Sequence, residues 1–129
     1  MSAKSKGTDA ERELIHLFWA AGWGSIRVAG SGSIKYPAPD VIAGNGIRRL
    51  VIECKYIGEQ QVYLTKKEVG ELKIFSQKLA AEPWIGVRFK NNKWIFIGLE
   101  ELEETPKSFV VSKKTSNLRG LSFDELTQR

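Results

Sequence analysis

Pro39-Asp40-Val41-Ile42-Ala43-Gly44-Asn45-Gly46-Ile47-Arg48-Arg49-Leu50-Val51-Ile52-Glu53-Cys54-Lys55 is the stretch that decides the reading of this chain. Two apolar runs flank Gly44-Asn45-Gly46, the pattern of a β-hairpin. Side chains alternate along a strand. In the second run Leu50, Ile52, Cys54 and Tyr56 therefore share one face, and Val51, Glu53 and Lys55 share the other. A carboxylate and an ammonium thus lie on a face that is otherwise apolar. With Asn45-Gly46 as a two-residue turn, Gly44 pairs with Ile47 and Asp40 falls opposite Val51. Asp40 is then diagonal to Glu53, roughly 7–8 Å away at the backbone. Two carboxylates so placed can reach one hard cation. A one-residue slip in register would carry them to opposite faces.

The chain's 129 residues suit one domain, with 42% hydrophobic and 27% charged residues. The net charge is +5 and the pI is about 9.4. That surplus favours a polyanionic partner, nucleic acid before an acidic membrane surface. Cys54 is the single cysteine, so neither an internal disulfide nor a cysteine-based zinc site is available. This suits a reducing cytoplasm. No apolar run approaches about 20 residues and no secretory signal is seen, so no membrane span is expected.

Met1 to Gly7 is short and basic, with Lys4 and Lys6, and reads as a flexible arm able to lie on phosphates. Thr8-Asp9-Ala10-Glu11 has the form of a capping box. It opens a helix with Leu14, Ile15, Phe18 and Trp19 on one stripe, ending near Ala21. Glu11 has two readings, helix cap or metal ligand. Ile26–Ala29 reads as a short strand. The Gly/Ser-rich Gly30–Tyr36 loop then leads into Asp40. After the hairpin comes a small extended piece, Val62–Leu64. Thr65-Lys66-Lys67-Glu68 is a second capping box, opening a helix to about Ala81. Trp84–Phe89 and Lys93–Ile97 make a second hairpin, which with the second helix is the candidate subunit interface. Glu100–Glu104 reads as a solvated acidic run, Ser108–Val111 as a further strand, and Ser122–Leu126 as a capped helical turn in a tail. The expected class is α/β: a mixed central sheet of about five strands flanked by helices.

Asp40 and Glu53 offer only hard oxygen ligands, and the sole histidine, His16, lies within the first helix. That favours Mg²⁺, with Mn²⁺ as substitute, over zinc. Such an ion can generate a nucleophilic hydroxide near neutral pH. Lys55 on the same face could stabilise charge developing on a phosphoryl group. The plainer alternative is a surface pair of Glu53 and Lys55, with Asp40 a turn residue after Pro39.

The set Pro39-Asp40, hairpin, Glu53-x-Lys55 resembles the PD-(D/E)xK nuclease superfamily. Gly7-x-x-x-Glu11-Arg12-Glu13-Leu14, Arg27 and Ser31-Gly32-Ser33 extend the likeness to archaeal Holliday junction resolvases of the Hjc type. The resemblance implies a restriction-endonuclease-like fold and one nuclease domain over 1–129. It implies a Mg²⁺-dependent homodimer that nicks four-way DNA junctions symmetrically, in recombination and repair, with no small-molecule substrate. It makes Glu11, Asp40 and Glu53 metal ligands, Lys55 the stabiliser and Ser31 a catalytic serine, with Ser33 the alternative. Lys4, Lys6, Arg12, Arg27 and Lys35 become DNA contacts. Two other readings share these residues: a nuclease of the same fold acting on duplex or damaged DNA, and a non-catalytic junction-binding module.

Overall fold

The computed structural model describes residues 3–30, 35–58, 61–91 and 93–129. Helix α1 (Ala3–Ala20) leads to β1 (Gly24–Arg27), β2 (Val41–Gly44) and β3 (Arg49–Ile57). Next come β4 (Gln61–Thr65), α2 (Lys66–Leu79), β5 (Glu82–Phe89) and β6 (Trp94–Gly98). The chain ends with β7 (Glu103–Glu104), β8 (Ser108–Ser112), α3 (Lys113–Arg119), β9 (Leu121–Ser122) and α4 (Phe123–Thr127). One sheet has six strands in the order β1-β2-β3-β5-β6-β9, and a second has three, β4-β8-β7. The α/β class with a mixed sheet holds, since β3 and β5 run parallel while the other pairs run antiparallel. The segment β4-α2 is the crossover that a parallel pair requires.

The β2–β3 register differs from the expected one. Val41 pairs with Ile52 and Gly44 with Arg49, so Asp40 comes opposite Glu53, not Val51. The turn is the reason. The Asn45 side-chain oxygen accepts from the N–H groups of Ile47 and Arg48, at 2.9 and 2.7 Å. Asn45 therefore opens the turn instead of occupying its centre. Gly46, at φ 94°, takes the first central position, where a hairpin turn tolerates glycine best. Moving the turn by one residue moves the opposing residue by two. The facing of every side chain therefore survives.

Both faces of β3 are covered, and Leu50, Val51 and Ile52 are all fully buried. On one face Ala10, Leu14 and Phe18 of α1 pack with Leu50, Ile52, Phe96 and Leu126. On the other Val69 and Leu72 of α2 pack with Val51, Ile57, Ile85 and Val111. Ile15 is only partly buried and Trp19 is largely exposed, so the α1 stripe is narrower than the sequence suggested. Glu13 fastens α1 to the sheet. It accepts two hydrogen bonds from Arg88 at 3.0 Å and one from the Trp94 indole at 2.9 Å.

Three further expectations are corrected. Helix α1 starts at Ala3, so residues 3–7 are helical where a flexible arm was read, and Thr8 does not begin the helix. Ala and Lys are strong helix formers and outweigh the cost of about 1 kcal/mol for an internal glycine, Gly7. The tail past Ser112 holds α3 and β9, too short to show a helical or strand period. The second hairpin was considered a candidate subunit interface, but Trp84, Ile85, Val87, Trp94, Phe96 and Ile97 are buried within the chain.

Arg48, in the hairpin turn, joins distant parts of the molecule. It donates to Glu82 at 2.8 and 2.9 Å and to the Leu126 carbonyl at 2.7 Å, and its guanidinium lies 5.4 Å from the Trp23 ring centre. Removing such a side chain strands a carboxylate and a carbonyl. We expect Arg48→Ala to cost about 2 kcal/mol in urea unfolding. The Arg48 hydrogen bonds hold Glu82 below its usual pKa of 4.5. A lowered folded-state pKa gives stability that is present above the unfolded value and lost as pH falls through the folded one. Acid titration of stability below pH 4.5 should therefore flatten in Glu82→Gln.

Candidate active site

The hairpin brings Asp40 and Glu53 together at one end of the sheet. The Asp40 N–H donates to the Ile52 carbonyl at 3.0 Å, and Asp40 Oδ2 accepts from the Cys54 N–H at 2.8 Å. These two bonds fix the carboxylate against β3. Asp40 and Glu53 also share a side-chain hydrogen bond, and their charges repel. Glu53 is pushed up to about 8. Burial is the largest cause, and the charge of Asp40 comes next. Lys55 opposes both, while Glu68 adds a smaller push upward. The upward shift favours a proton held between the two carboxyl groups, which lets them remain in contact.

Glu11 comes from the second turn and a half of α1 and not from its start. It is therefore not a cap, which removes that reading. Its Oε1 accepts from Arg27 Nε at 3.1 Å, on β1. Its pKa is raised, first by burial and then by the Asp40 charge, with Arg27 opposing. Glu11 thus faces Asp40 while engaged by Arg27. Among the described residues no three His, Cys, Asp or Glu side chains gather closely enough to hold a metal ion as they stand.

Lys55 points to the α2 side, as the alternation requires. Its Nζ donates to Glu68 Oε2 at 2.7 Å. The other oxygen of Glu68 accepts from the Thr65 N–H at 2.9 Å, and Thr65 Oγ1 accepts from the Glu68 N–H at 2.9 Å. This is the capping box read from the sequence. One carboxylate therefore caps α2 and holds Lys55. The sequence showed the cap but not the ion pair, because thirteen positions separate the partners and only the crossover joins them. Burial raises the Glu68 pKa, but its bonds to Lys55 and Thr65 outweigh this and leave it lowered.

The remaining candidates are more dispersed. Arg12 is exposed on α1, and Lys35 is exposed with its Nζ 5.6 Å from the Tyr36 ring centre. Lys4 and Lys6 lie in the first turns of α1, with side chains outside the described set. Ser31 and Ser33 lie outside the described residues altogether. Glu13 is held by Arg88 and Trp94, so it is no stand-in for a ligand. The Cys54 thiol is pushed well up, first by burial and then by Asp40, and so stays neutral.

An acidic pair, an ion-paired lysine and basic residues on nearby elements suit chemistry at a phosphodiester. The model for "Archaeal holliday junction resolvase (hjc)" matches residues 2–129. The chain belongs to the archaeal Holliday junction resolvase family. It is 41% identical over 123 residues to the "Crossover junction endodeoxyribonuclease Hjc" of Archaeoglobus fulgidus, covering 95% of this chain and 90% of that one. It is 31% identical to the protein of the same name from Methanocaldococcus jannaschii, covering 96% and 88%. A solved structure of Archaeoglobus fulgidus Hjc, described as a Holliday junction resolvase from an archaeal hyperthermophile, superposes with a TM-score of 0.87 at 36% identity. The superposition covers 96% of this chain and 97% of that one. That likeness fixes the restriction-endonuclease-like fold expected from the sequence.

The double use of Glu68 has a consequence for stability. We expect Glu68→Ala to cost about 1 kcal/mol through the lost cap. Glu68→Gln should recover most of this, because glutamine also serves a capping box. Urea midpoints of the two variants check it, and equal losses would remove the cap from the account.

Proposed function

We propose that this chain is a junction-resolving endonuclease, cutting four-way DNA in paired, symmetric strands during recombination and repair. The observation that carries this is Asp40 opposite Glu53, with Lys55 on the same face, in a member of the resolvase family. The residues fit a divalent cation. Their donors are all carboxylate oxygens, and their mutual repulsion is what such an ion relieves. Asp40 and Glu53 would hold it, and Glu11 would join them by exchanging Arg27. Magnesium suits this set, with manganese as substitute. When bound, the ion would polarise a phosphoryl oxygen and lower the pKa of a water.

The chain's own groups do the rest. Lys55 stabilises charge developing on the phosphoryl oxygens. Glu68 positions that ammonium through their ion pair. The two backbone bonds to Asp40 preset its carboxylate, so little reorganisation is needed at reaction. Ser31 assists at the scissile phosphate. Arg12 and Lys35, with Lys4 and Lys6, contact backbone phosphates, and Arg27 does so once Glu11 releases it. Such contacts carry little sequence information, which suits recognition of shape.

A two-fold partner provides the second cut. A homodimer presents two equivalent sites to a four-way junction. Its interface falls on the outer side of α2, where Ile74 and Leu79 are partly exposed. The chain is one nuclease unit and works in the cytoplasm, and none of its described helices is long and apolar enough to cross a membrane.

One assay tests the reading. A labelled four-way junction and a matched linear duplex are incubated with the protein in Mg²⁺ or Ca²⁺. We expect symmetric cuts in the junction only, with Mg²⁺. Equal cutting of the duplex points to a nuclease with another substrate, and no cutting with any divalent ion points to a binding module. Asp40→Asn and Lys55→Ala should each lower the cutting rate by at least about 10²-fold while leaving junction affinity near the wild-type value.

A further inference from the structure

Beyond the carboxylates, the carboxyl ends of β3 and β5 border a cleft of about 410 Å³. Ile57 and Phe89 give it an apolar wall. Its charged groups are all positive: Lys90 after β5, Lys93 before β6, and Lys113 at the start of α3. Asn91 and Asn117 add amide donors. No Asp or Glu among the described residues lines it.

Seven other cations of the molecule are engaged by carboxylates: Arg27, Arg48, Lys55, Lys66, Lys67, Arg88 and Arg119 each have such a partner. Among the described residues Lys90, Lys93 and Lys113 have none, and all three are exposed. Lys90 is laid across the end of β3: a Cβ added to Gly58 would meet its Cε at 3.5 Å. The β5–β6 turn and the start of α3 thus bring like charges to one concavity. An anion seated among them would relieve their mutual repulsion.

We propose that this cleft binds the phosphate backbone of a DNA arm, outside the phosphodiester that is cut. The proposal rests on the junction-cutting function. Ile57 follows Lys55 by two residues and points to the same face, so the cleft begins about 7 Å further along β3. A strand whose phosphate reaches Lys55 passes the cleft within a few nucleotides. The cleft therefore adds affinity and sets the direction of an arm, without reading sequence.

The experiment is the salt dependence of binding. A fluorescent four-way junction is titrated in Ca²⁺ between 50 and 200 mM salt, with the wild-type chain and with Lys90→Ala/Lys93→Ala/Lys113→Ala. Each phosphate contact contributes about 0.9 to the slope of log K against log[salt]. The triple variant should lose about 2 to 3 from the slope and about tenfold or more in affinity at 100 mM salt. Each single variant should lose about 1, which decides the matter should the triple variant fail to fold. Lys78→Ala/Lys107→Ala, at exposed lysines away from the cleft, should keep the wild-type slope. A wild-type slope and affinity in the single and triple variants overturns the proposal. So does saturation of the cleft by inorganic phosphate, seen in lysine NMR shifts, that leaves junction binding unchanged. Wild-type protein that cuts junctions while the variants bind normally removes the cleft alone. Wild-type protein that neither binds nor cuts junctions removes the function with it.

Discussion

The antiparallel pairing of β2 with β3 is the constraint on which the site depends. It sets Asp40 opposite Glu53 and puts Lys55 on their face. Two carboxyl groups in contact on a partly buried surface are unfavourable unless a proton or a cation lies between them. Burial, and after it the charge of Asp40, raise the pKa of Glu53 accordingly. The hairpin can hold it because Leu50, Val51 and Ile52 are buried on both faces. A slip of one residue would carry Glu53 and Lys55 to the opposite face of the sheet, so the core that stabilises the fold also fixes the chemistry.

Helices α1 and α2 each bring one carboxylate to the hairpin. Helix α1, anchored through Glu13 to Arg88 and Trp94, delivers Glu11 beside Asp40, where Arg27 holds it. Helix α2, capped by Thr65, delivers Glu68 to Lys55. The two cations thus oppose different carboxylates: Arg27 balances Glu11, and Lys55 sits between Glu53 and Glu68. Arg48 closes the other end of the hairpin on Glu82, Leu126 and Trp23.

Much of this was legible in the chain. Alternation in β3 gave the facing of Glu53 and Lys55, the capping box at Thr65 formed as read, and the capped turn expected at Ser122 is present. The exact partner of Asp40 was not legible, because Asn45 and Gly46 can each open a turn and only the bonds of the Asn45 side chain decide between them. The box at Thr8 had the right residues but lies inside a helix that starts at Ala3, since local sequence does not exclude an earlier start. The second role of Glu68 and the gathering of Lys90 with Lys113 depend on elements far apart in sequence. No local pattern carries such information.

The central claim is that Asp40 and Glu53 jointly hold one divalent cation. Its most direct test is a crystal of the protein soaked in Mn²⁺ and measured at the manganese absorption edge. The account predicts an anomalous peak with oxygens of both Asp40 and Glu53 at about 2.0–2.2 Å, absent in Asp40→Asn. A peak that touches only one of the two, or that persists unchanged in Asp40→Asn, would contradict it.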